Sequence, residues 1–323
     1  MLDLIIIGGG PTGICVAIEA EKAKLNYLVL EKGVLVNSLF HFPTNMTFFS
    51  TSLNLEIGGV PFISHVEKPT RKEALEYYRR VVESWKLKIH LYEKVLEMKP
   101  LQGGGYEIFT SKNSYRTRCV VVATGYYDKP RLMNVPGEDL PKVKHYYDEA
   151  HPYVGQKVLV VGAANSACDV ALETFYKGAQ VTMAIREGEI YDKVKYWIRP
   201  NIENRIKEGS IEAFFNTMVK EIRQNEVVLQ TLEGERVLEN DFVLAMTGYQ
   251  VDFVFLQHLG IVIGNDELRT PQFDPVRFET NLPGVYLAGV AQGGLETSKL
   301  FIENTRHHGE VIVNQLIKVD KAL

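Results

Sequence analysis

The stretch IIIGGGPTGIC, residues 5–15, joins a strand pattern to a helix pattern near the start of the chain. Its glycines Gly8, Gly10 and Gly13 have the spacing G-x-G-x-x-G. The first glycine permits a tight turn, the second lets backbone N–H groups approach a pyrophosphate, and the third allows close helix packing. Because a helix N-terminus favours negative charge, this pattern predicts a dinucleotide-phosphate loop.

The residues around this loop predict a βαβ unit. Residues 4–7 form a short β-branched run, residues 11–24 have helix-like apolar spacing, and residues 27–30 are apolar again. Glu31 follows the second strand, where an acid accepts hydrogen bonds from ribose hydroxyls. Strand, loop, helix and acid together predict a Rossmann-like nucleotide-binding domain.

A second unit of the same plan spans residues 157–185. Gly162 begins its turn, but Ala164 and Ala167 replace the other two glycines. The unit's last strand precedes Arg186, whose guanidinium can pair with a 2′-phosphate and so favours NADP over NAD. The alternative is a structural repeat that binds no ligand.

The bulk composition sets the size and class of the molecule. A chain of 323 residues with 46% hydrophobic residues can bury a full core and predicts two domains at about 150 residues each. A net charge of −4 excludes the broad basic surface that nucleic-acid binding requires.

The cysteines and the apolar runs bear on the compartment. The chain has 3 cysteines and no C-x-x-C pair, which indicates a reducing compartment without a disulfide framework. Residues 1–4 carry no basic region before the first strand, and no apolar run approaches the roughly 20 residues of a membrane span. We therefore expect a soluble, cytoplasmic protein that does not enter a membrane.

Other segments give local predictions. Residues 32–68 have no clear period and predict a long ordered excursion, a length usually kept for function. Residues 69–85 predict a helix with a charged outer face, and Gly103–Gly105 predict a hairpin turn, since no helix follows them. A helix over residues 298–317 is expected to dock on the core.

Two short segments bracket the second unit and indicate an inserted domain. Ala123–Gly125 and Ala245–Gly248 each follow a strongly apolar strand. This arrangement resembles the α/β fold of two-domain flavoprotein oxidoreductases similar to thioredoxin reductase. It implies an FAD-binding domain over residues 1–126 and 249–323, with an NADPH-binding domain over residues 127–248 inserted into it.

The whole chain resembles the bacillithiol-disulfide reductase family. The segments that carry the resemblance are GGGPTG at 8–13, FPTNMTFFSTSLNLEIG at 42–58, VVATGYYDKPRLMNVPGE at 121–138, DFVLAMTGY at 241–249 and FIENTRHHG at 301–309. The resemblance implies a flavoprotein in which NADPH, through FAD, reduces a low-molecular-weight thiol disulfide. A small redox protein is the other acceptor considered, and related folds imply a homodimer.

The resemblance also implies which residues contact the cofactors, and it implies no metal site. Val290 departs from the aspartate common in the last flavin-contacting segment. Expected FAD contacts are Gly8, Gly10, Pro11, Thr12, Gly13, Glu31, Lys32, Val95, Thr124, Gly125, Gly289 and Val290. Expected NADPH contacts are Gly162, Ala164, Asn165, Ser166 and Arg186.

No catalytic residue is assigned, because the sequence lacks the family's cysteine in the first glycine loop. The family pattern GGGPCG has a cysteine where this chain has Thr12, and threonine cannot form a mixed disulfide. Cys15 lies one helical turn later, where a helix N-terminus would lower a thiol pKa, but its apolar neighbours favour a packing role. Proton-donor candidates at the C-terminal segment are Glu303, Arg306, His307 and His308, with a solvated face as the alternative.

Three other functions are compatible with the sequence. A flavin monooxygenase shares the linker ATGYYDKPRLMNVPG, but Asp139 and Pro141 replace the Phe and Gly of F-x-G-x-x-x-H before His145. A ferredoxin-NADP reductase of thioredoxin-reductase type also dispenses with paired cysteines. An FAD-bound redox sensor would be the non-enzymatic alternative.

Overall fold

The structure, a computed structural model, describes residues 1–320 of the chain. The chain folds into two compact units. The first unit comprises Met1–His41, Asn45–Lys129 and the chain from Tyr249 onward, and the second comprises Phe42–Thr44 and Pro130–Gly248.

The described chain contains both strands and helices, and βαβ units alternate with runs of consecutive strands. The strands are β1 (Leu2–Ile7), β2 (Tyr27–Leu30), β3 (Ile89–His90), β4 (Val95–Pro100), β5 (Tyr106–Thr110), β6 (Ser114–Val122), β7 (Val143–Lys144), β8 (Lys157–Val161), β9 (Gln180–Ala184), β10 (Glu212–Phe214), β11 (Met218–Ile222), β12 (Glu226–Thr231), β13 (Gly234–Glu239), β14 (Phe242–Ala245) and β15 (Val285–Leu287). The helices are α1 (Pro11–Lys22), α2 (Asn37–Phe40), α3 (Ser52–Leu55), α4 (Arg71–Trp85), α5 (Asn165–Tyr176), α6 (Arg199–Lys207), α7 (Phe253–His258), α8 (Ile302–Thr305) and α9 (His308–Asp320).

The sheet of the first unit has the order β3-β2-β1-β6-β5-β4, and β15 also pairs with β6. Strands β3, β2, β1, β6 and β15 pair in parallel, whereas β4 and β5 form an antiparallel extension. Its core includes Ile5, Val120 and Leu287, each with no exposed surface. A strand buried on both faces needs a continuous apolar run, which explains the sequence of β1. The first βαβ unit is thus confirmed.

The second unit contains a parallel sheet of order β10-β9-β8-β14-β7 and an antiparallel sheet of β11, β12 and β13. Fully buried side chains of Val160, Met183 and Leu244 contribute to the core of the parallel sheet. Strand β8, helix α5 and strand β9 follow the predicted βαβ pattern, so the second Rossmann-like unit is also confirmed.

Two further elements follow from local signals as predicted. The predicted helix over 69–85 is α4, and Thr70 caps it reciprocally with Glu73: Glu73 N donates to Thr70 Oγ1 at 3.3 Å and Thr70 N donates to Glu73 Oε2 at 2.8 Å. The hairpin at Gly103–Gly105 joins the antiparallel strands β4 and β5, and all three glycines have positive φ.

The predicted helix over 298–317 is wrong at its start. The chain becomes helical only at α8 and is interrupted at Arg306 and His307 before α9. Gly309 explains the placement of α9, because a Cβ at this residue would lie 2.8 Å from the Cys15 carbonyl oxygen. Close packing on α1 therefore fixes the position of α9. The spacing of apolar residues in the sequence does not reveal this contact, so it could not predict where the helix begins.

Candidate functional site

The turn between β1 and α1 is shaped by its glycines. Gly8 has φ +112°, and a Cβ there would lie 2.5 Å from the Ala123 carbonyl oxygen. A Cβ on Gly13 would lie 2.0 Å from the Gly8 carbonyl oxygen, whereas a Cβ on Gly10 would meet nothing within 4 Å. Since Gly10, the N-cap of α1, has no side chain to cap the helix, the first-turn N–H groups are available to an anion on its open side.

Glu31 reaches this turn through its carboxylate. Its Oε2 accepts a hydrogen bond from Gly9 N at 2.7 Å, and its Oε1 accepts one from Gly33 N at 2.8 Å. Burial raises the pKa of Glu31, and the two backbone hydrogen bonds oppose that rise. A Cβ on Gly9 would lie 3.0 Å from the Glu31 Cβ, so Gly9 is needed for this approach. Sequence reasoning missed Gly9, although the triple glycine was the signal.

Thr12 lies at the first turn of α1 beside the C-terminal segment. Its Oγ1 is 3.1 Å from Thr305 Oγ1, and a Cβ on Gly289 would lie 2.9 Å from Thr12 Oγ1. Gly289 has φ +71°, which favours glycine. The segment around Gly289 is thus brought against the phosphate turn by a contact that leaves no room for a larger residue.

His308 anchors the same segment from α9. Gly289 N donates to His308 Nδ1 at 3.1 Å, and the imidazole stacks on the Phe278 ring at 4.4 Å. Burial, with a smaller contribution from His307, lowers the pKa of His308 to about 4. Since Nδ1 accepts a hydrogen bond, the ring is neutral with its proton on Nε2. His308 therefore holds the backbone in place and is a poor proton donor at neutral pH.

The cysteines favour packing over redox chemistry. Burial, followed by the charge of Glu19, raises the pKa of Cys15 to about 12. Burial likewise raises the pKa of Cys168 to about 12. A thiol reacts as its thiolate, so neither residue is primed for exchange at neutral pH. Cys119 lies within β6.

Other residues expected to contact FAD lie at several places in the first unit. Lys32 Nζ forms an ion pair with Asp128 Oδ2 at 2.6 Å. Val95 buries its side chain in the core, so only its backbone is available to a ligand. Gly125 has φ +70°, and its ideal Cβ would lie 4.0 Å from Val290 Cγ2. Pro11 opens α1, and Thr124 lies under the Gly8 turn, with its Cα 3.3 Å from the ideal Gly8 Cβ.

The second unit has a cavity of about 1170 Å³ at its own glycine turn. Gly162 has φ +127°, and a Cβ there would lie 2.7 Å from the Met246 carbonyl oxygen. Three of the residues expected to contact NADPH line this cavity: Gly162, Ala164 and Arg186. Lining residues that were not among the expected NADPH contacts include Arg131, Leu132, Met133, Tyr191, Met218 and Thr247.

Asn165 supports one wall of this cavity. Its Oδ1 accepts a hydrogen bond from Lys195 N at 2.9 Å, and its Nδ2 donates to Lys193 O at 3.4 Å. Tyr191 N donates to Ala163 O at 3.1 Å, which attaches the same loop to the glycine turn. Asn165 was expected to contact NADPH, but its side chain is engaged in holding this loop. Ser166 lies in the first turn of α5.

The part of the cavity wall at residues 131–133 is held by Glu138. Its carboxylate accepts hydrogen bonds from Met133 N at 2.7 Å and from Asn134 N at 2.6 Å. Asn134 has φ +57°, a conformation that non-glycine residues seldom adopt. Thr247 Oγ1 donates to the Arg131 carbonyl oxygen at 2.6 Å. These bonds pin the cavity wall from both of its ends.

Arg186 lines the cavity in an ion pair with its neighbour. Its Nη2 lies 2.7 Å from Glu187 Oε1, and both side chains are well exposed, at 77% and 52%. An exposed pair of this kind contributes little to stability, so the guanidinium can exchange partners when a phosphate binds.

Metal and membrane sites have no support among the described residues. Within residues 1–320, no group of three or more His, Cys, Asp or Glu side chains is placed to hold a metal ion. No helix in the described part of the chain has both the length and the apolar character to cross a membrane.

Two Rossmann-like units, each with a glycine turn shaped for a phosphate, define the class of a two-nucleotide oxidoreductase. The sequence matches the family described as pyridine nucleotide-disulphide oxidoreductase over residues 5–289. It is 44% identical to the bacilliredoxin reductase of Bacillus subtilis, over 97% of each chain.

Solved structures agree with this match. The bacillithiol disulfide reductase from Staphylococcus aureus superposes with a TM-score of 0.95 at 40% identity, over 98% of each chain. A thioredoxin reductase from Lactococcus lactis covers 100% of each chain with a TM-score of 0.77 at 20% identity, a likeness of fold alone. The protein belongs to the bacillithiol disulfide reductase family within the pyridine nucleotide-disulphide oxidoreductases, and the expected thioredoxin-reductase-like fold is confirmed.

Proposed function

We propose that the protein is an FAD-containing, NADPH-dependent oxidoreductase that reduces the disulfide of a low-molecular-weight thiol such as bacillithiol. The observation that carries the proposal is the pairing of the open turn at Gly10 with the buried carboxylate of Glu31. That pairing offers N–H donors to a pyrophosphate and an acceptor to ribose hydroxyls. The choice of a disulfide as the substrate is supported by the names of its relatives in Bacillus subtilis and Staphylococcus aureus.

The residues present fit both cofactors. In the first unit, the first turn of α1 and Glu31 would hold the pyrophosphate and adenosine ribose of FAD. In the second unit, the Gly162 turn would hold the NADPH pyrophosphate, and Arg186 would pair with the 2′-phosphate. The break between units near Lys129 and Tyr249 supports an FAD domain of residues 1–126 and 249–323 and an NADPH domain of residues 127–248.

The reaction needs two electrons and two protons to convert one disulfide into two thiols. Bound FAD supplies the chemistry that accepts a hydride equivalent and passes two electrons on. The chain's own part is to bind and orient, since Thr12 has no sulfur and Cys15 is buried as a thiol. We infer that the acceptor is reduced without a covalent bond to residue 12.

The finer aspects of the proposal concern the acceptor and the assembly. A small redox protein that carries the thiol as a mixed disulfide is the second form of acceptor, in line with the name bacilliredoxin reductase. The cysteine usage supports the cytoplasm, and the fold supports a homodimer by analogy.

An acceptor panel tests this function. Purified protein should be yellow and should oxidise NADPH faster than NADH in multiple turnovers with bacillithiol disulfide. Glutathione disulfide, ferredoxin and oxygen are the comparison acceptors, followed through the absorbance of NADPH. Turnover with ferredoxin alone or oxygen alone would refute the disulfide reductase, and no turnover with any acceptor would favour a sensor.

A further inference from the structure

We propose that Glu93, with Thr110, Tyr115 and His90, forms a positioning network that holds Glu31 against the phosphate turn and so selects dinucleotides with an adenosine half. The inference rests on the proposed function, because it assigns Glu31 to the adenosine ribose of FAD. It concerns residues that act through Glu31, to which the backbone of His90 and Glu93 is hydrogen-bonded.

The network is built around a buried carboxylate. Glu93 Oε1 accepts hydrogen bonds from Thr110 Oγ1 at 2.7 Å and from Tyr115 OH at 2.9 Å. Its Oε2 lies 3.1 Å from His90 Nδ1, and Tyr115 OH is also 3.1 Å from that nitrogen. Asn113 Nδ2 donates to Tyr115 OH at 3.2 Å. These side chains thus form one continuous hydrogen-bonded cluster around the Glu93 carboxylate.

The carboxylate is charged despite its burial. Burial raises the pKa of Glu93, but hydrogen bonds from Thr110, Tyr115 and His90 together hold it below the ordinary value. A buried charge without such partners is strongly destabilising. The hydrogen-bonding groups of the network are therefore paired with one another. Removing one side chain leaves a buried polar group without a partner, and we expect the local backbone to shift in response.

Backbone hydrogen bonds connect the network to Glu31. Glu31 N donates to the His90 carbonyl oxygen at 2.9 Å, and Glu93 N donates to the Glu31 carbonyl oxygen at 2.8 Å. Between these two bonds, Tyr92 N donates to Gly33 O at 3.1 Å, and Tyr92 has φ +55°. A tyrosine in the left-handed region persists only where its surroundings hold it.

The position of Glu31 therefore depends on the turn formed by residues 90–93. Its carboxylate bridges Gly9 and Gly33, and its backbone is held from both sides by His90 and Glu93. A shift of the turn would withdraw the carboxylate from the ribose position and release Gly9 N, while the close backbone packing of Gly8 and Gly13 would remain. The expected loss is thus confined to ligands that carry the adenosine ribose.

The test compares FAD with FMN, which lacks the adenosine half. Full-length protein stripped of flavin is titrated with each flavin through quenching of flavin fluorescence, for wild type, Glu93→Ala and Tyr115→Phe. We expect the Kd for FAD to rise about tenfold or more in Glu93→Ala and a few-fold in Tyr115→Phe, while the Kd for FMN stays within about twofold. Glu97→Gln, an exposed carboxylate on β4, is the matched control and should bind both flavins as wild type does.

Specific outcomes would overturn the inference. An unchanged Kd for FAD in Tyr115→Phe and Glu93→Ala would remove the network's role, as would equal losses for FAD and FMN, which indicate a general structural effect. If Glu93→Ala does not fold, Tyr115→Phe alone decides between these results. Wild-type protein that binds no FAD would overturn the proposed function first, so the two failures are distinguishable.

Discussion

Thr12 puts a hydroxyl at the position where the family pattern has a cysteine, and its surroundings are adapted to it. Its Oγ1 contacts Thr305 Oγ1 at 3.1 Å, and Thr305 in turn donates to the Phe301 carbonyl oxygen at 2.7 Å. The hydroxyl is thus part of a hydrogen-bonded chain that ties α1 to α8. The neighbouring thiol of Cys15 is buried and has no comparable access to solvent or ligand.

Cys15→Ala should leave disulfide turnover unchanged. Burial raises the pKa of Cys15 to about 12, so the thiol stays protonated at pH 8. Iodoacetamide should therefore label Cys15 in urea but not in native protein, as followed by mass spectrometry of the peptide. A loss of turnover beyond about tenfold with flavin retained would contradict the packing role.

Arg186→Gln should raise the KM for NADPH about tenfold or more and leave the KM for NADH nearly unchanged. Arg186 lines the cavity, and in the proposed function its guanidinium pairs with the 2′-phosphate, a group that NADH lacks. Steady-state kinetics with both nucleotides measures the difference. Arg236→Gln, which removes another exposed ion-paired arginine, is the control and should change neither KM. Equal effects of Arg186→Gln on both nucleotides would remove its phosphate role.

At the scale of the element, the histidine at the start of α9 makes the stability of the fold depend on pH. Burial, and to a smaller extent the charge of His307, holds the folded-state pKa of His308 below its ordinary value of 6.5. Protonating the ring would also break its bond to Gly289 N. The unfolded chain therefore binds the proton more tightly, and the stabilisation present above pH 6.5 is lost as pH falls towards 4. The difference between the two pKa values of His308 corresponds to about 3 kcal/mol in the free energy of unfolding.

His308→Asn should flatten this pH dependence, because the amide oxygen can still accept from Gly289 N but does not titrate. Urea denaturation at pH 7 and pH 4.5 should show a smaller difference in the free energy of unfolding than in wild type. His65→Asn, at an exposed site, should retain the wild-type difference. An unchanged pH dependence in His308→Asn would show that other groups control acid unfolding.

The cavity wall over residues 131–134 depends on one carboxylate. Glu138→Ala removes the acceptor for Met133 N and Asn134 N, so the left-handed turn at Asn134 should relax. We expect the KM values for NADPH and NADH to rise together by several-fold, because the wall shapes the cavity without reading the 2′-phosphate.

Flavin content and kinetics separate this effect from general unfolding. Glu138→Ala should retain its flavin, and Glu235→Ala, an exposed carboxylate on β13, should behave as wild type. A selective rise in the KM for NADPH alone would assign Glu138 to the phosphate instead of the wall.

The elements that sequence predicted well are those with strong local signals. The glycine turns follow from Gly8 and Gly162, where a Cβ would collide with backbone, and α4 follows from its capping box at Thr70. Strands β10, β11 and β13 were not predicted, since they are short or carry many charged side chains and form only through pairing with neighbours.

The parts of the site that were missed depend on particular hydrogen bonds, most of them between residues distant in the sequence. Tyr191 N donates to Ala163 O and so attaches its loop to the glycine turn, and Glu138 accepts from the backbone of residues 133 and 134. Gly9 is constrained only because Glu31, 22 positions later, approaches it. None of these constraints has a periodicity or a spacing, so a single sequence gives no direct signal for them.

At the scale of the whole molecule, each unit has its own apolar core. Ile5, Val120 and Leu287 lie in the core of the first unit, and Val160 and Met183 lie in that of the second. Because each unit also carries its own nucleotide turn, ligands should stabilise the units separately. This expectation can be measured without a catalytic assay.

Scanning calorimetry of the full chain should show two unfolding transitions. NADP⁺ should raise the midpoint temperature of one, and removal of FAD should lower the midpoint temperature of the other. At about 100 times its Kd, NADP⁺ should stabilise the second unit by about 2.7 kcal/mol. The Arg186→Gln variant assigns the transitions, because it should reduce the shift caused by NADP⁺ and leave the effect of FAD intact. A single transition that both ligands shift equally would show that the units unfold as one cooperative body, and independent stabilisation would then be wrong. Two transitions with separate responses would place the cofactors in separate units by thermodynamics alone.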